Sequence, residues 1–173
     1  MVDIKIELLE VSDSEELLIF EISNREFFER TCLSRGDSYY DIDNFNKIIS
    51  ELVKEQEAGL VYMYLIKDMN GTIVGRVNLV DVIRGNFNKA EIGYRIAQEY
   101  QGKGYGTRAV KLAVDEARKI HNLHRIEAGV SPDNIGSQVV LIKNGFNVVG
   151  RFNKYIFQGG KWHDNLNFEL LLD

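Results

Sequence analysis

The sequence has very little cysteine and proline, with one residue of each in 173. A single cysteine, Cys32, excludes an intrachain disulfide and any zinc site built from several cysteines. It fits a reducing compartment, so we expect a cytoplasmic protein in which Cys32 is buried or incidental. The low proline content and 45% apolar residues argue against a disordered chain.

The sequence also lacks long apolar runs and an excess of basic residues. No run approaches the roughly 20 residues of a transmembrane helix, and the amino terminus lacks the layout of a signal peptide. Lys and Arg total 21 against 26 Asp and Glu, a net charge of −5, whereas general nucleic-acid binders are basic. We therefore expect neither a membrane nor a nucleic acid as partner.

The charge is unevenly divided along the chain. Residues 1–59 hold 15 acidic and 6 basic residues, a net of −9, while residues 60–173 hold 11 and 15, a net of +4. Such an asymmetry can indicate two kinds of binding partner, although solvated helix faces explain it as simply.

Hydrophobic patterning indicates one domain that alternates strands and helices. A strand near residues 4–8 precedes a helix from about Ser12, after a capping-box pattern, to about Asn24. A loop at 31–40 and a helix from Phe45 to near Gly59 follow. The remaining elements are strands at 60–66, 72–82 and 90–96, a helix at 105–121, a strand at 125–130, a helix at 134–143 and strands at 147–157 and 162–172. This order predicts an α/β (α+β) fold, with a mixed, mostly antiparallel central sheet of about seven strands flanked by helices.

The strongest motif is Gln101-Gly102-Lys103-Gly104-Tyr105-Gly106-Thr107, between a predicted strand and a predicted helix. Alternating glycines let the backbone approach a ligand closely, and free N–H groups at a helix start favour an anionic phosphate. A tight structural connection explains the motif equally well. The spacing is neither that of an ATP P-loop nor that of a dinucleotide fingerprint, which would have glycine in place of Thr107.

This motif resembles the acetyl-CoA pyrophosphate loop, Gln/Arg-x-x-Gly-x-Gly/Ala, of the GNAT N-acetyltransferases. Residues 90–94 and 124–128 resemble the fourth and fifth strands of the RimJ/RimL-type subgroup of ribosomal-protein N-terminal acetyltransferases. Asn134 with Ser137, and residues 143–146, resemble the subgroup's terminal motif, and residues 160–164 resemble its last hairpin. The likeness covers roughly residues 60–173.

The resemblance implies a single GNAT domain at 1–173. Its parts are acceptor-side helices at about 12–59, an acetyl-CoA-binding core at about 60–146 and a C-terminal hairpin at about 147–172. Acetyl-CoA would be the cosubstrate, with no metal. The residues implied in binding it are Gln101, Gly102, Lys103, Gly104, Tyr105, Gly106 and Thr107 at the pyrophosphate, Arg95 and Ile96 beside the pantetheine arm, and Asn134 near the thioester.

The reaction implied by the resemblance is direct attack of a neutral primary amine on the thioester. Glu91 matches the position of the catalytic Glu in related histone acetyltransferases and is the candidate general base, with a structural role as the alternative. Many family members place a tyrosine proton donor where this sequence has Leu141. Ser137 is the candidate replacement, although a serine on a first helical turn is also an ordinary cap.

The acceptor implied first is the N-terminal α-amine of a protein, as in the ribosomal-protein enzymes. A polyamine or aminoglycoside is the second choice, and a non-catalytic acyl-CoA-binding module or an ATP- or NAD-dependent enzyme are alternatives of other classes. The subgroup also implies a possible homodimer. Because the net −9 segment contains the acceptor-side helices, we expect an acidic groove that suits a cationic amine.

Several other side chains carry weaker expectations. Metal binding by His121 and His124 is not favoured, because the two straddle a helix end and a strand start. His163 lies on the last hairpin, at the surface or in contact with substrate, and Trp162 is expected in the core. Basic residues are expected around the glycine-rich loop, in part as solvated helix face: Lys103, Arg108, Lys111, Arg118, Lys119 and Arg125.

Overall fold

A seven-stranded sheet forms the centre of the computed structural model, which describes residues 2–172. The strands are β1 (Ile4–Leu8), β2 (Tyr62–Asp68), β3 (Ile73–Ile83), β4 (Lys89–Ile96), β5 (Arg125–Val130), β6 (Asn147–Gln158) and β7 (Lys161–Leu171), in the spatial order β1-β2-β3-β4-β5-β7-β6. Only β4 and β5 are parallel; the other neighbouring pairs are antiparallel. The predicted mixed, mostly antiparallel sheet is confirmed.

Five helices flank the sheet: α1 (Ser14–Ser23), α2 (Arg25–Thr31), α3 (Ile42–Glu57), α4 (Tyr105–Lys119) and α5 (Ile135–Lys143). Helix α2 was not predicted, and the predicted loop at 31–40 contains a 3-10 turn at Asp37–Tyr40. Phe28, buried on α2, anchors this segment to the core. In residues 2–172 we find no helix with the length and apolar character that crossing a membrane requires.

The start of α1 also differs from prediction. The predicted capping box began at Ser12, but the N–H of Glu10 donates to the Asp13 carboxylate at 2.8 Å. A 3-10 turn at Val11–Asp13 therefore precedes α1, which begins at Ser14. The acidic residues in this stretch offer a competing cap two positions earlier, which is why the sequence pattern misplaced it.

Each face of the sheet packs a separate hydrophobic core. On one face, Ile92 and Ile96 of β4 join Ala113 of α4 and Leu141 of α5. On the other face, the helices α1, α2 and α3 contribute Leu17, Phe28, Phe45 and Ile49. Alternation along each strand sends successive side chains to opposite cores.

The parallel strands β4 and β5 pair only at their beginnings. Their register runs from Lys89 opposite Arg125 to Glu91 opposite Glu127 and then stops, although β4 continues to Ile96 and β5 to Val130. Along residues 92–96, β4 pairs with β3 alone. The sheet therefore opens into a wedge whose walls carry unpaired backbone edges.

The edge hairpin of β6 and β7 corrects one expectation. Trp162 is 58% exposed rather than part of the core, and its ring packs on Phe157 with centroids 5.3 Å apart. Strand β6 is the last strand of the sheet and pairs only with β7, so aromatic residues at this end have no second layer to cover them.

Candidate active site in the opening between β4 and β5

A cavity of about 900 Å³ occupies the wedge between β4 and β5. This volume lies within the usual range for small-molecule sites. One end is formed by residues 101, 102 and 104–107 at the start of α4, and the middle by β4 and the start of α5. The opposite end is formed by α2 and the β6–β7 hairpin, which contribute Phe27, Phe28, Arg30, Thr31, Cys32, Gln158, Gly159, Lys161 and His163.

The glycine-rich loop at residues 101–106 has the backbone of an anion cradle. Gly102 and Gly104 have φ of +71° and +89°, the left-handed region that favours glycine. Gly104 is the N-cap of α4, whose first N–H groups have no acceptor within the helix. The Gln101 side chain donates to the Ile96 carbonyl at 2.7 Å and so fixes the loop to the end of β4.

Basic side chains lie beside this loop. Lys103, Arg108, Lys111 and Lys143 line a depression that adjoins the cavity and shares Gly104 and Thr107 with it. The Nε of Arg108 is buried and has no hydrogen-bond partner among the described residues. These cations and the free helix N–H groups form a surface that suits phosphates.

The other three basic residues that were expected around the loop are engaged elsewhere. Arg118 donates to the Leu172 carbonyl at 3.0 Å, and Lys119 lies 3.9 Å from Asp115. Arg125 binds Glu127 at 2.7 Å on β5. The predicted basic surround is therefore limited to Lys103, Arg108 and Lys111, with Lys143 added by α5.

Asn134 and Ser137 stand together at the start of α5, in the middle of the cavity. Asn134 is the N-cap: its Oδ1 accepts from the Ser137 N–H at 3.0 Å. The Ser137 hydroxyl is instead 2.8 Å from the hydroxyl of Tyr94, which also donates to the Ser137 carbonyl at 3.1 Å. The alternative of Ser137 as the helix cap is therefore wrong, because Asn134 has that role.

Tyr94 is a cavity residue that the sequence analysis missed. It lies on β4, and burial raises its pKa to about 12, against which the Ser137 hydrogen bond acts. Leu141, which occupies the position where many family members have a tyrosine, is fully buried in the core. A phenol therefore does reach this helix, but from a strand 43 residues earlier in the chain. Only the aromatic character of residue 94 in the strand motif hinted at it.

Glu91 is placed at the vertex of the wedge, as the last β4 residue paired with β5. It is exposed on the sheet face, its carboxylate forms no hydrogen bond or ion pair with any residue from 2 to 172, and it does not line the cavity. Partial burial and the nearby carboxylates of Asp81 and Glu127 raise the pKa of Glu91, while Lys89 lowers it. Tyr94, three residues on, lies about 10 Å away at strand spacing.

The candidate residues thus occupy opposite faces of β4. Tyr94 points to the α4–α5 side, where it meets Ser137, whereas Arg95 points to the α1–α2 side. Glu91 and Arg95 are four residues apart in a strand and share that second face. Groups on the two faces can approach one ligand only through the opening between β4 and β5.

Four residues along β4 from Glu91, on the same face, Arg95 belongs to a buried ion network. Arg76 of β3 lies directly opposite Arg95, and Glu21 of α1 bridges them, with Oε1 2.8 Å from Arg76 and Oε2 3.3 Å from Arg95. Burial opposes ionisation of Glu21, but the two guanidiniums outweigh it and lower its pKa. The Arg95 guanidinium also lies 4.9 Å from the Phe28 ring centroid, a cation–π distance.

The expectation of an acidic groove is wrong for this cavity. None of the 15 acidic residues at 1–59, all within the described chain, lines it. The end formed by α2, Arg95 and the hairpin carries Arg30, Arg95 and Lys161 instead. The acidic side chains of the helices do not line the cavity, and Glu21 among them is neutralised by arginine.

The histidines and the cysteine are also placed. His163 and Cys32 line the cavity, and the His163 Nε2 lies 3.1 Å from the Gln158 carbonyl. His121 is buried at the far side of the α4 core, with its Nε2 2.6 Å from the Tyr64 hydroxyl, and burial lowers its pKa to about 4. Within residues 2–172 no three side chains of His, Cys, Asp or Glu form a group that could hold a metal ion.

Comparison with known proteins identifies this architecture. The family model described as "Acetyltransferase (GNAT) domain" matches residues 4–147, so the chain belongs to the GNAT acetyltransferase family and is an N-acetyltransferase. Within the family it is of the RimJ/RimL type: it is 28% identical to the [Ribosomal protein uS5]-alanine N-acetyltransferase of Escherichia coli (strain K12), over 93% of this chain and 84% of that protein.

Two further relatives differ in sequence identity and in the share of the chain that is matched. The Probable N-acetyltransferase YjcK of Bacillus subtilis (strain 168) is 40% identical, over 91% of this chain and 87% of its own. The Spermidine N(1)-acetyltransferase of Escherichia coli (strain K12) is 32% identical, but over only 57% of this chain and 53% of its own.

Solved structures agree with the fold. The ribosomal-protein-S5-alanine acetyltransferase of Vibrio fischeri superimposes with a TM-score of 0.94 at 28% identity, covering 100% of this chain and 95% of that one. RimJ of Mycobacterium smegmatis, solved in complex with CoA-disulfide, gives a TM-score of 0.89 at 26% identity, covering 97% and 81%.

Proposed function

We propose that this enzyme acetylates the N-terminal α-amine of a protein, with acetyl-CoA as donor. The observation that carries the proposal is the charge of the cavity: cationic at both ends, with Asp133 as its one acidic lining residue in the described chain. A cationic surface at residues 101–107 suits a phosphorylated donor. A cationic surface at the α2 end disfavours an acceptor with several ammonium groups.

The donor fits the end of the cavity at residues 101–107. Backbone N–H groups of Gln101, Gly102, Lys103, Gly104, Tyr105 and Gly106 would hold the pyrophosphate, with Thr107 beside them. The free edge of β4 at Arg95 and Ile96 would pair with the pantetheine arm, and the Nδ2 of Asn134 would donate near the thioester, because its Oδ1 is used in capping. Acetyl-CoA supplies an activated acyl group, and these residues would hold it in position.

Glu91 would act as general base on the acceptor side of β4. Its raised pKa makes the carboxylate a stronger base than an ordinary glutamate. Because Glu91 does not line the cavity, the proton would pass through water. An α-amine, with a reference pKa of about 7.7–8.0, needs less help than a lysine at about 10.4. The nearby guanidiniums would lower the amine pKa further, because they disfavour an ammonium.

Ser137 would contact the leaving sulfur, and Tyr94 would hold the Ser137 side chain in position. A tyrosine with a pKa of about 12 is a poor proton source for a thiolate whose reference value is about 8.5. Tyr94 is therefore assigned the role of a neutral hydrogen-bond partner that holds the Ser137 hydroxyl toward the thioester.

The polyamine or aminoglycoside alternative keeps some support from the spermidine acetyltransferase relative. It conflicts with Arg30, Arg95 and Lys161, which line the end of the cavity formed by α2 and the β6–β7 hairpin, here called the acceptor end. A polycation would meet like charge there. A non-catalytic acyl-CoA-binding module would need no acceptor site. Cytoplasmic location, a homodimer and the division into acceptor helices, acetyl-CoA core and hairpin remain predictions.

The test is to incubate the purified protein with acetyl-CoA and either a peptide with a free N-terminal alanine or the same peptide with a blocked amino terminus and one lysine. We expect mass spectrometry to find acetylation on the α-amine of the first peptide and almost none on the second. Acetylation of spermidine or an aminoglycoside but neither peptide would contradict the proposal, and CoA binding without turnover on any amine would favour the binding module.

The base assignment has its own test within the same assay. Glu91→Gln should reduce kcat most above the pKa of Glu91, where the wild-type carboxylate is ionised, and the difference between variant and wild type should shrink at lower pH as that carboxylate gains a proton. Undiminished turnover of the variant across the pH range would remove Glu91 from the mechanism.

A further inference from the structure

The Glu21, Arg76, Arg95 and Arg35 side chains form a network with more positive than negative charge. Arg76 and Arg95 contact the one carboxylate, and the exposed Arg35 stacks over the Tyr39 ring at 4.6 Å, while the Tyr39 hydroxyl accepts from Arg76 at 3.2 Å. Partial burial, and next the Arg95 guanidinium, lower the pKa of Arg35. Among residues 2–172, Glu21 is the only carboxylate in contact with Arg76 or Arg95, so the network carries excess positive charge.

Part of this charge is deeply buried without a partner. Arg76 is 1% exposed, and its Nε and Nη2 have no hydrogen-bond partner among the described residues. Arg76 and Arg95 are also direct cross-strand neighbours, a like-charge pairing that destabilises a sheet unless something compensates it. A purely structural network would be expected to balance its charges, because uncompensated buried charge is costly.

The excess charge reaches the acceptor end of the cavity. Arg95 lines that end and is 14% exposed, whereas Arg76 lies behind it. Arg30 of α2 and Lys161 of β7 line the same end from two other elements and are exposed. Cations from a strand, a helix and a hairpin thus converge on one space. Arg30 has a weak, exposed partner in Glu26 at 3.6 Å.

The distance to the reacting end limits where a compensating anion can sit. Arg95 directly follows Tyr94, which contacts Ser137 in the middle of the cavity. An extended peptide advances roughly 3.4 Å per residue, so the Cα atoms of its second and third residues lie about 5 and 8 Å from its α-amine. An acidic side chain at those positions would come near Arg95 while the amine stands at the centre.

We propose that the acceptor is a protein N-terminus with an acidic side chain at its second or third position, bound by Arg95, Arg30 and Lys161. This inference rests on the proposed function and adds the substrate class. The carboxylate would accept charge-assisted hydrogen bonds from guanidinium groups, which discriminate strongly when water is partly excluded. Arg76 would strengthen them through its charge, without touching the acceptor.

The test compares three peptides that start with alanine and carry Asp, Asn or Lys at positions two and three. We expect kcat/KM to fall in the order Asp, Asn, Lys, with about tenfold or more between the first and the last. The ratio should shrink as salt is added, because the acceptor end is open to screening ions. Equal kcat/KM for the three peptides would overturn this inference while leaving N-terminal acetylation intact.

Substitutions at the cationic residues test which of them cause the preference for an acidic side chain. Arg95→Gln should reduce the Asp-to-Lys ratio of kcat/KM severalfold, whereas a merely structural Arg95, or an effect on acetyl-CoA binding alone, would lower kcat/KM for all three peptides alike. If Arg95→Gln does not fold, the exposed Arg30→Gln and Lys161→Gln variants carry the same test. Lys119→Gln, an equal charge change on α4 outside the cavity, should keep the wild-type ratio.

A preference unchanged in Arg30→Gln, Lys161→Gln and any folded Arg95→Gln would also overturn the assignment. Failure of every peptide, combined with turnover of spermidine, would instead contradict the proposed function itself. The two failures are therefore distinguishable in one set of assays.

Discussion

The two sides of the central sheet are stabilised in different ways. The side covered by α4 and α5 has an apolar core that includes Ala109, Ala113 and Ala117 of α4, and no buried ion pair lies there within residues 2–172. The side covered by α1, α2 and α3 also has an apolar core, but the Glu21–Arg76–Arg95 network lies within it. Both sides border the same cavity.

This difference separates two tasks. Binding a cosubstrate common to a whole family requires a fixed backbone shape, which glycine dihedrals and a helix start provide on the α4 side. Choosing an acceptor requires charge and shape that vary, which side chains of α2 and the hairpin provide. We therefore expect substitutions on the two sides to affect different measured quantities.

The largest effect should come from removing the carboxylate of the network. Glu21→Gln would leave two buried guanidiniums uncompensated, and we expect a loss of about 3–5 kcal/mol in the free energy of unfolding. Urea denaturation of the variant measures it. Glu15→Gln is the control, because Glu15 is an exposed acid of the same helix and should cost little. A small loss for Glu21→Gln would mean that the network is not a stabilising element.

The second prediction compares two glycine substitutions that strain the backbone equally, of which only one lies in the loop proposed to bind acetyl-CoA. Gly104 and Gly71 have nearly equal φ, +89° and +90°, and a Cβ would find no atom closer than 3.6 Å at the first and none within 4 Å at the second. Gly104→Ala and Gly71→Ala should each destabilise by about 1–2 kcal/mol. Only Gly104→Ala should weaken acetyl-CoA binding, by about tenfold in a calorimetric titration. Equal affinities would show that the loop does not contact the donor.

These elements show how far sequence reasoning reaches. The strand at 125–130 and the helix start at Tyr105 coincide with prediction, and Asn134 stands at the predicted start of α5. Such features depend on local patterns of apolar residues, glycines and caps, which a single sequence displays. The family resemblance added the expectation of a donor-binding strand edge at Arg95 and Ile96, whereas the opening between β4 and β5 was not predicted and appears only in the structure.

The features that the sequence did not predict depend on contacts between distant parts of the chain. Glu21 meets Arg76 across 55 residues, and Tyr94 meets Ser137 across 43. The acidic groove was predicted from the net charge of a segment, but a helix presents its charges around its whole circumference. Arg30, rather than any of the acids, is the charged residue of α2 that faces the cavity.

A third effect tests whether Tyr94 acts through Ser137. Tyr94→Phe removes the hydrogen bonds of the phenol to the Ser137 hydroxyl and carbonyl and should lower kcat about threefold to tenfold with little change in KM. The Tyr94→Phe/Ser137→Ala double variant should be no slower than Ser137→Ala alone, since one interaction is lost in both. Tyr155→Phe, on the exposed hairpin, is the control. Additive losses would show two independent roles.

The smallest effect concerns the stability cost of Glu91. Folding raises the pKa of Glu91, so the folded chain holds its proton more tightly and the ionised carboxyl costs stability above that pKa. Glu91→Gln should therefore raise Tm slightly at neutral pH, and the gain should vanish as pH falls through the pKa. Thermal melts at neutral and mildly acidic pH measure this, and a lower Tm at neutral pH would contradict the stated environment.

The central claim is that a cationic acceptor end selects a protein N-terminus over a polyamine. Its most direct test is a competition in one tube, with acetyl-CoA limiting and an alanine-initiated, acid-containing peptide and spermidine at equal concentrations. We expect the peptide to be acetylated at least about tenfold faster, as like-charge repulsion of a polycation predicts. Faster acetylation of spermidine would contradict the claim.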